Sequence, residues 1–187
     1  AVQGMEGGGR IRGDVALLPL LAEVLDAVEV PVVAAGGIAT ARGVAACLAA
    51  GAAAVRVGTR LLATEEAGAH PAYVAALLEA GAEDAVLTDA FSVMWPNGPE
   101  PHRTLRSALE AAEAFDGEVV GETRMGAATL PVPRFGVPCP NRDTTGEIAA
   151  MVHYAGQGVG ATTKVLPAAQ VVEDLVADAE RLLRRWG

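Results

Sequence analysis

Aromatic residues are scarce: two Trp, two Tyr and three Phe make up 4% of the 187 residues. A core with so few rings must be built from Ala, Val and Leu, which suits helices packed closely on a sheet. Basic residues are also in short supply, with 14 Lys and Arg against 23 Asp and Glu, for a formal net charge of −9. No basic stripe is available to neutralise a phosphate backbone, so nucleic acid is excluded as a partner. The two cysteines, Cys47 and Cys139, give no disulfide framework. Cys47 lies in an Ala-rich stretch and reads as a small buried hydrophobe, Cys139 as a loop thiol between prolines, and no metal-ligand spacing occurs. Apolar runs are broken by Asp, Arg or Gly well before about 18 residues, so no membrane span is expected. The first residues do not read as a signal peptide, and a cytoplasmic protein is the expectation.

What is abundant is glycine at the ends of short apolar runs. Residues 30–38, Val-Pro-Val-Val-Ala-Ala-Gly-Gly-Ile, are echoed by residues 53–60, Ala-Ala-Val-Arg-Val-Gly-Thr-Arg. Between them lies an Ala-rich segment of helical length, capped by Thr40 and stopped by Gly51. Strand, glycine turn, helix and second strand make one βαβ unit of about 30 residues. Fully apolar short strands are expected in a parallel sheet covered on both faces. The two glycine-bearing ends then lie side by side at one edge of that sheet. Backbone N–H groups at such turns, with a helix N-terminus behind, form an anion site for which phosphate is the natural occupant. Gly36, Gly37 and Gly58, with Thr59 and its hydroxyl, are the residues placed there.

The rest of the chain reads as alternating elements with a polar interruption. Ala1-Val2 looks like the tail of a strand, so the sequence reads as the later part of a longer protein. Residues 3–13 hold five glycines and are expected to be irregular. In this loop, Gln3, Glu6 and Arg10 offer polar contacts to a ligand at the same rim. Asp14 is expected to cap a helix over 15–28, with Leu17, Leu18, Leu21, Val24, Leu25 and Val28 at helical spacing. Strands follow at 30–35 and 53–57, then a short helix or turn at 61–66. A helix over 71–80 starts with Pro71 at its first position and His70 before it. An extended piece at 85–88, an amphipathic helix over 104–115 and a Gly- and Pro-rich stretch over 116–142, expected to be an ordered excursion rather than layers of a sheet, come next. A helix over 145–154 leads into Ala-Gly-Gln-Gly at 155–158, a segment able to fold over the rim with Gln157 toward a heterocycle. A final helix over 168–186 places Val171, Val172, Leu175, Val176, Ala179 and Leu182 on one face. The three histidines, His70, His102 and His153, have no nucleophile or acid at telling spacings, so no hydrolase triad can be drawn.

Four motifs in this order resemble those of the nitronate monooxygenases: the loop at 3–9, residues 30–38, Gly-Thr-Arg-Leu-Leu-Ala-Thr-Glu-Glu at 58–66 with Ala-His-Pro-Ala-Tyr at 69–73, and 155–158. The resemblance implies an α/β fold, the C-terminal portion of a TIM-type (βα)8 barrel comprising its last three strands, with a helical C-terminal extension. It divides the chain into residues 1–90, the last βα units of an FMN-binding barrel, and 91–187, an excursion with helices packing on it. It implies FMN, held by Gln3, Gly4, Gly36, Gly37, Gly58, Thr59 and Gln157, with Glu6 and Gly9 toward the substrate. The implied reaction is oxidation of alkyl nitronates by O2 to a carbonyl compound and nitrite, with small-molecule partners and homo-oligomerisation left open. At the position of Arg10 the family usually carries His. An Arg cannot act as a base near neutral pH, so anion binding rather than carbon deprotonation is expected there. Two alternatives stand beside this reading: FMN-dependent enoyl-thioester reduction, and a non-catalytic module that binds FMN or phosphate.

Overall fold

Three parallel strands carry the architecture, and their order in the sheet is the order in which they pair with one another. The computed structural model describes residues 1–185 and, at Met125, the backbone alone. The elements are β1 (Val2–Gln3), β2 (Gly9–Arg10), α1 (Leu17–Ala27), β3 (Val33–Ala35), α2 (Ala41–Ala49), β4 (Ala54–Arg56), α3 (Thr59–Leu62), α4 (Pro71–Glu79) and β5 (Ala85–Thr88). They continue with β6 (His102–Leu105), α5 (Arg106–Ala114), β7 (Val119–Met125), β8 (Ala128–Pro133), β9 (Thr145–Gly146) and α6 (Ala168–Leu183). Strands β1, β3 and β4 form an open parallel sheet in that order, and the described residues form no closed barrel. The fold is α/β, as read from the sequence.

The register separates the two faces of this sheet. Val2, Ala34 and Val55 are cross-strand neighbours, and all three join the apolar cluster formed with Leu21, Val44, Cys47 and Ala179. Helices α1, α2 and α6 supply the other side of that cluster, with α6 packed along α2. One residue on in each strand, Gln3, Ala35 and Arg56 form the next row and face the opposite way. That face is not covered by helices as expected; it forms the floor of a cleft.

Local signals placed several helix ends correctly. Thr40 Oγ1 accepts the Gly43 N–H at 3.2 Å and caps α2. His70 Nδ1 accepts the Ala72 N–H at 3.1 Å, with Pro71 at the first position of α4. Helix α1 differs. It begins at Leu17, not Val15, and its cap is not Asp14: both Glu6 carboxylate oxygens lie 3.0 Å from the Leu17 N–H. A carboxylate brought from eleven residues upstream meets the positive helix end, which no local pattern announces. Only part of the expected stripe is inward: Leu17 and Leu21 are buried, while Leu18 is 51% exposed.

The second half departs further from expectation. Gly9 and Arg10, in the loop expected to be irregular, pair antiparallel with Arg103 and His102, making a sheet in the order β2-β6-β5. Thr104 and Leu105 belong to β6, so the amphipathic helix starts at Arg106. The stretch 116–142 is not an excursion: β7 and β8 form a hairpin, with β9 on the other side of β7. Pro131 and Pro133 sit in β8, at one edge of this sheet, the position where proline is tolerated. Residues 145–154 are not a helix but β9, a single 3-10 turn at Ile148–Ala150 and an extended run ending in a Thr104–Tyr154 bridge. Their apolar run is buried against Phe91, Ala112, Val120 and Val132, and a buried extended segment looks like a buried helix in sequence. In α6, Val171 and Ala179 are buried but Val172 and Val176 are each half exposed. The expected end of that helix at Trp186 lies outside the described residues.

Truncating Leu21, which is fully buried between α1 and the sheet, should lower stability by about 2–5 kcal/mol, whereas Leu18→Ala should change it by less than about 0.5 kcal/mol. Urea unfolding of the two variants checks this; equal losses would mean that the inward and outward faces of α1 are assigned wrongly.

Candidate functional site

A cleft of about 280 Å³ opens at the C-terminal ends of β1, β3 and β4. Its floor is the row Gln3, Ala35 and Arg56, with a methyl between two polar arms. Gly36 and Gly37 turn the chain out of β3 at φ of 108° and 68°, a region that side chains resist. After β4 the chain leaves through Gly58, at φ −113°, and Thr59 opens α3. The Gly37 and Gly58 N–H groups donate to no backbone acceptor among the described residues.

The fourth wall comes from the other end of the chain. The Gly156 N–H donates to Thr59 Oγ1 at 2.9 Å, and the Gln157 N–H donates to the Glu6 carbonyl at 2.9 Å. Since Thr59 Oγ1 accepts from Gly156, its own hydroxyl proton remains available to an anion in the cleft. At Gly158 a Cβ would stand 2.6 Å from the Gly37 carbonyl, so only glycine lets this segment close on the turn after β3. Arg103 pins the loop from behind: Nε and Nη2 donate to the Met5 carbonyl at 3.2 and 2.9 Å, and Nη1 donates to the Ala85 carbonyl at 2.7 Å.

The residues singled out in the sequence divide into two groups. Gln3, Gly9, Gly36, Gly37, Gly58 and Thr59 line the cleft. Gly4, Glu6, Arg10 and Gln157 do not. Gly4 is buried against Leu17, leaving no space for a Cβ, and Glu6 is turned to the Leu17 N–H, so its role here is to cap a helix. Gln157 is exposed and engages through its main chain. Arg10 corrects the expectation most sharply. Its guanidinium Nε lies 2.6 Å from a Glu100 carboxylate oxygen, and its Cζ sits 4.1 Å from the centre of the Trp95 ring. The charge assigned to anion binding is met by a carboxylate within the protein. Sequence reasoning passed over Arg56 and Tyr154, both on the cleft wall. The alternation of 54–57 was the signal for Arg56, since Val55 and Val57 belong to the buried face. Tyr154 was hidden by the mistaken helix over 145–154.

Two histidines are buried without charge. The Phe91 N–H donates to His102 Nε2 at 3.3 Å, so Nδ1 carries the proton and donates to the Glu100 carbonyl at 2.9 Å. Burial lowers the His102 pKa. Phe91, Trp95 and Tyr154 surround the ring, and it therefore stiffens the wall carrying Tyr154 rather than meeting a ligand. His153 Nε2 donates to the Ile148 carbonyl at 3.1 Å, while the ring stacks on Tyr73 at 4.5 Å. Desolvation brings its pKa down from 6.5 to about 4.

A glycine-walled cleft at the carboxyl ends of parallel strands is the geometry of a small-molecule site in an α/β protein. The chain belongs to the nitronate monooxygenase family, whose model matches residues 1–178. It is 31% identical over 182 residues to the probable nitronate monooxygenase of Bacillus subtilis, covering 93% of this chain and 49% of that protein. It is 42% identical over 120 residues to a 5-hydroxy-7a-methyl-1-oxo-octahydro-1H-indene-4-carboxyl-CoA dehydrogenase of Rhodococcus jostii, covering 64% of this chain and 32% of that protein. The nitroalkane oxidase of Streptomyces ansochromogenes superposes with a TM-score of 0.69 at 30% identity, over 100% of this chain and 52% of that one. The chain thus spans from about a third to about half the length of these relatives. Among the described residues no helix is long and apolar enough to cross a membrane.

Because His153 binds its proton more weakly folded than unfolded, the unfolded chain holds more protons between pH 6.5 and about 4. Stability should be full above pH 6.5 and fall as pH drops through that window, by up to about 3 kcal/mol from this residue. Unfolding curves across the window check it: His153→Gln should show a shallower slope, and an unchanged slope would remove His153 as the source.

Proposed function

We propose that the cleft receives the phosphate end of FMN and that the protein is an FMN-dependent oxidoreductase acting on alkyl nitronates, with O2 as oxidant and a carbonyl compound and nitrite as products. The observation that carries this is the convergence of two glycine turns, Gly36-Gly37 and Gly58-Thr59, on one rim closed by Gly156 and Gly158. Its polar lining fits a phosphate: Gly37 and Gly58 offer N–H groups, Thr59 a hydroxyl proton, and Arg56 a guanidinium. At about 280 Å³ the cleft lies at the small end of ligand sites and suits a phosphate ester better than a whole flavin. When bound, FMN supplies the electron-accepting group. In this reading residues 1–90 carry the phosphate rim and 91–187 supply the segment that closes it.

The chemistry of the wall favours a substrate that arrives already ionised. Among the described residues lining the cleft none is a base at neutral pH. Tyr154 is held protonated by burial, Arg56 is a guanidinium, and Glu6 is committed to Leu17 outside the wall. Carbon deprotonation therefore has no agent here, whereas a nitronate needs none. A second reading, reduction or oxidation of a thioester-linked substrate, is favoured by the identity to the carboxyl-CoA dehydrogenase.

Titrating the 187-residue chain with FMN should quench flavin fluorescence saturably and leave a yellow protein after gel filtration. Flavin-loaded protein should then take up O2 with an alkyl nitronate and not with the parent neutral nitroalkane. A colourless protein after saturating FMN overturns the cofactor reading. Pyridine-nucleotide oxidation with an enoyl thioester, and no O2 uptake with the nitronate, would replace the first substrate class with the second.

A further inference from the structure

His153 is 2% exposed, and only one of its ring nitrogens is paired. Nε2 donates to the Ile148 carbonyl, so Nδ1 carries a lone pair, and that lone pair has no hydrogen-bond partner among the described residues. A buried acceptor left in that state is rare in a folded protein and asks for a reason. His153 belongs to the lining of a second cleft, about 390 Å³ in volume, between α4, α5 and the 3-10 turn at Ile148–Ala150. Of the residues lining it, His153 alone is buried, so its ring forms the floor. Its neighbour Tyr154 lines the first cleft, so one extended segment serves both.

The walls of this second cleft offer acceptors where the first offers donors. Glu79 and Glu110 are exposed and form no ion pair or side-chain hydrogen bond among the described residues. Asp84 accepts the Gly81 N–H at 2.8 Å with one carboxylate oxygen. Helix α4 ends at Glu79 with no basic residue in its last turn, so its carbonyl end adds to the negative field. Arg106 is the one cation of the lining, and its Nη2 donates to the Glu83 carbonyl at 3.3 Å. Ala72 and Ala76, one turn apart on α4, and Ala149 supply methyl groups. Burial is the larger cause, and the neighbouring His70 a smaller one, that brings the His153 pKa down to about 4, so the ring stays neutral and keeps its lone pair at neutral pH.

We propose that this second cleft binds a small organic ammonium ion, a primary amine on a short hydrocarbon chain, with His153 Nδ1 and the carboxylates of Glu79 and Glu110 as its acceptors. An ammonium group has three N–H donors and no acceptor, which matches a lining of carboxylates and one imidazole lone pair. No group of three side chains able to hold a metal ion occurs among the described residues, and the alanine methyls suit a hydrocarbon stem rather than a hydrated inorganic cation. The site is independent of the flavin reading.

The test titrates the 187-residue chain with 1,4-diaminobutane and with its neutral analogue of equal length, 1,4-butanediol, by calorimetry. The diamine should bind saturably and the diol should not. Glu79→Gln and Glu110→Gln should each weaken the diamine by about two- to fivefold, the range of an exposed charge pair. Glu173→Gln, which removes the same charge on α6, outside the cleft, should behave as wild type. Ala76→Leu, which fills the cleft from α4, should abolish binding, with urea unfolding to show that the variant folds. In nitrogen NMR the His153 Nδ1 resonance should move on saturation with the diamine while those of His102 stay in place. The site is overturned if the diol binds as tightly as the diamine, if Glu173→Gln weakens binding as much as Glu110→Gln does, or if His153 Nδ1 does not respond at saturation. None of these readouts involves FMN, so the flavin reading stands or falls separately.

Discussion

The cleft depends on one register: Gln3, Ala35 and Arg56 abreast on three parallel strands, with Val2, Ala34 and Val55 abreast on the row before. Side chains alternate along a strand with a period of two, so a slip of one residue would exchange the two rows. Arg56 would then enter the apolar cluster beneath the sheet, and a valine would face the cleft. The burial of Val2 and Ala34 against α1 and α2 therefore holds the register that presents Arg56 to the cleft. Helices α1 and α2 do not line the cleft, yet their packing decides which residues can reach it.

A second constraint is how closely backbone meets backbone at the rim. The turn after β3 and the segment at 156–158 approach until a Cβ at Gly158 would overlap the Gly37 carbonyl region. Gly8 and Gly156 meet in the same manner. Such contacts leave amide hydrogens at the surface of the cleft without side chains in front of them, which suits a charged oxygen. They also join distant parts of the chain: Glu6 links to Leu17 through its carboxylate and to Gln157 through its carbonyl. Arg103 and Arg10 serve this assembly rather than a ligand, one on the Met5 and Ala85 carbonyls and the other between Trp95 and Glu100.

The legible part of the sequence was the part governed by local physics. Strands β3 and β4, the Thr40 and His70 caps, the Gly51 stop and the buried Cys47 all follow from neighbours within a few residues. The turn at Gly36 and Gly37 was legible because positive φ is written in the residue type itself. What could not be read were pairings across many residues: the β2–β6 ladder, the β7–β8 hairpin behind its prolines, and the extended path of 151–154. An apolar run such as Ala-Ala-Met-Val carries no period that separates a buried strand from a buried helix.

The amino-acid sequence alone determined that two glycine-ended strands flank an Ala-rich helix, because those propensities are intrinsic to the residues and act over short range. It also determined the scarcity of positive charge that makes any single cation at the rim matter. Only the tertiary structure decided which cation that is. Arg10 and Arg56 are indistinguishable by residue type. Folding sets Glu100 and Trp95 against the first and leaves the second facing the cleft, because partners remote in sequence become neighbours only when the sheets and loops are assembled.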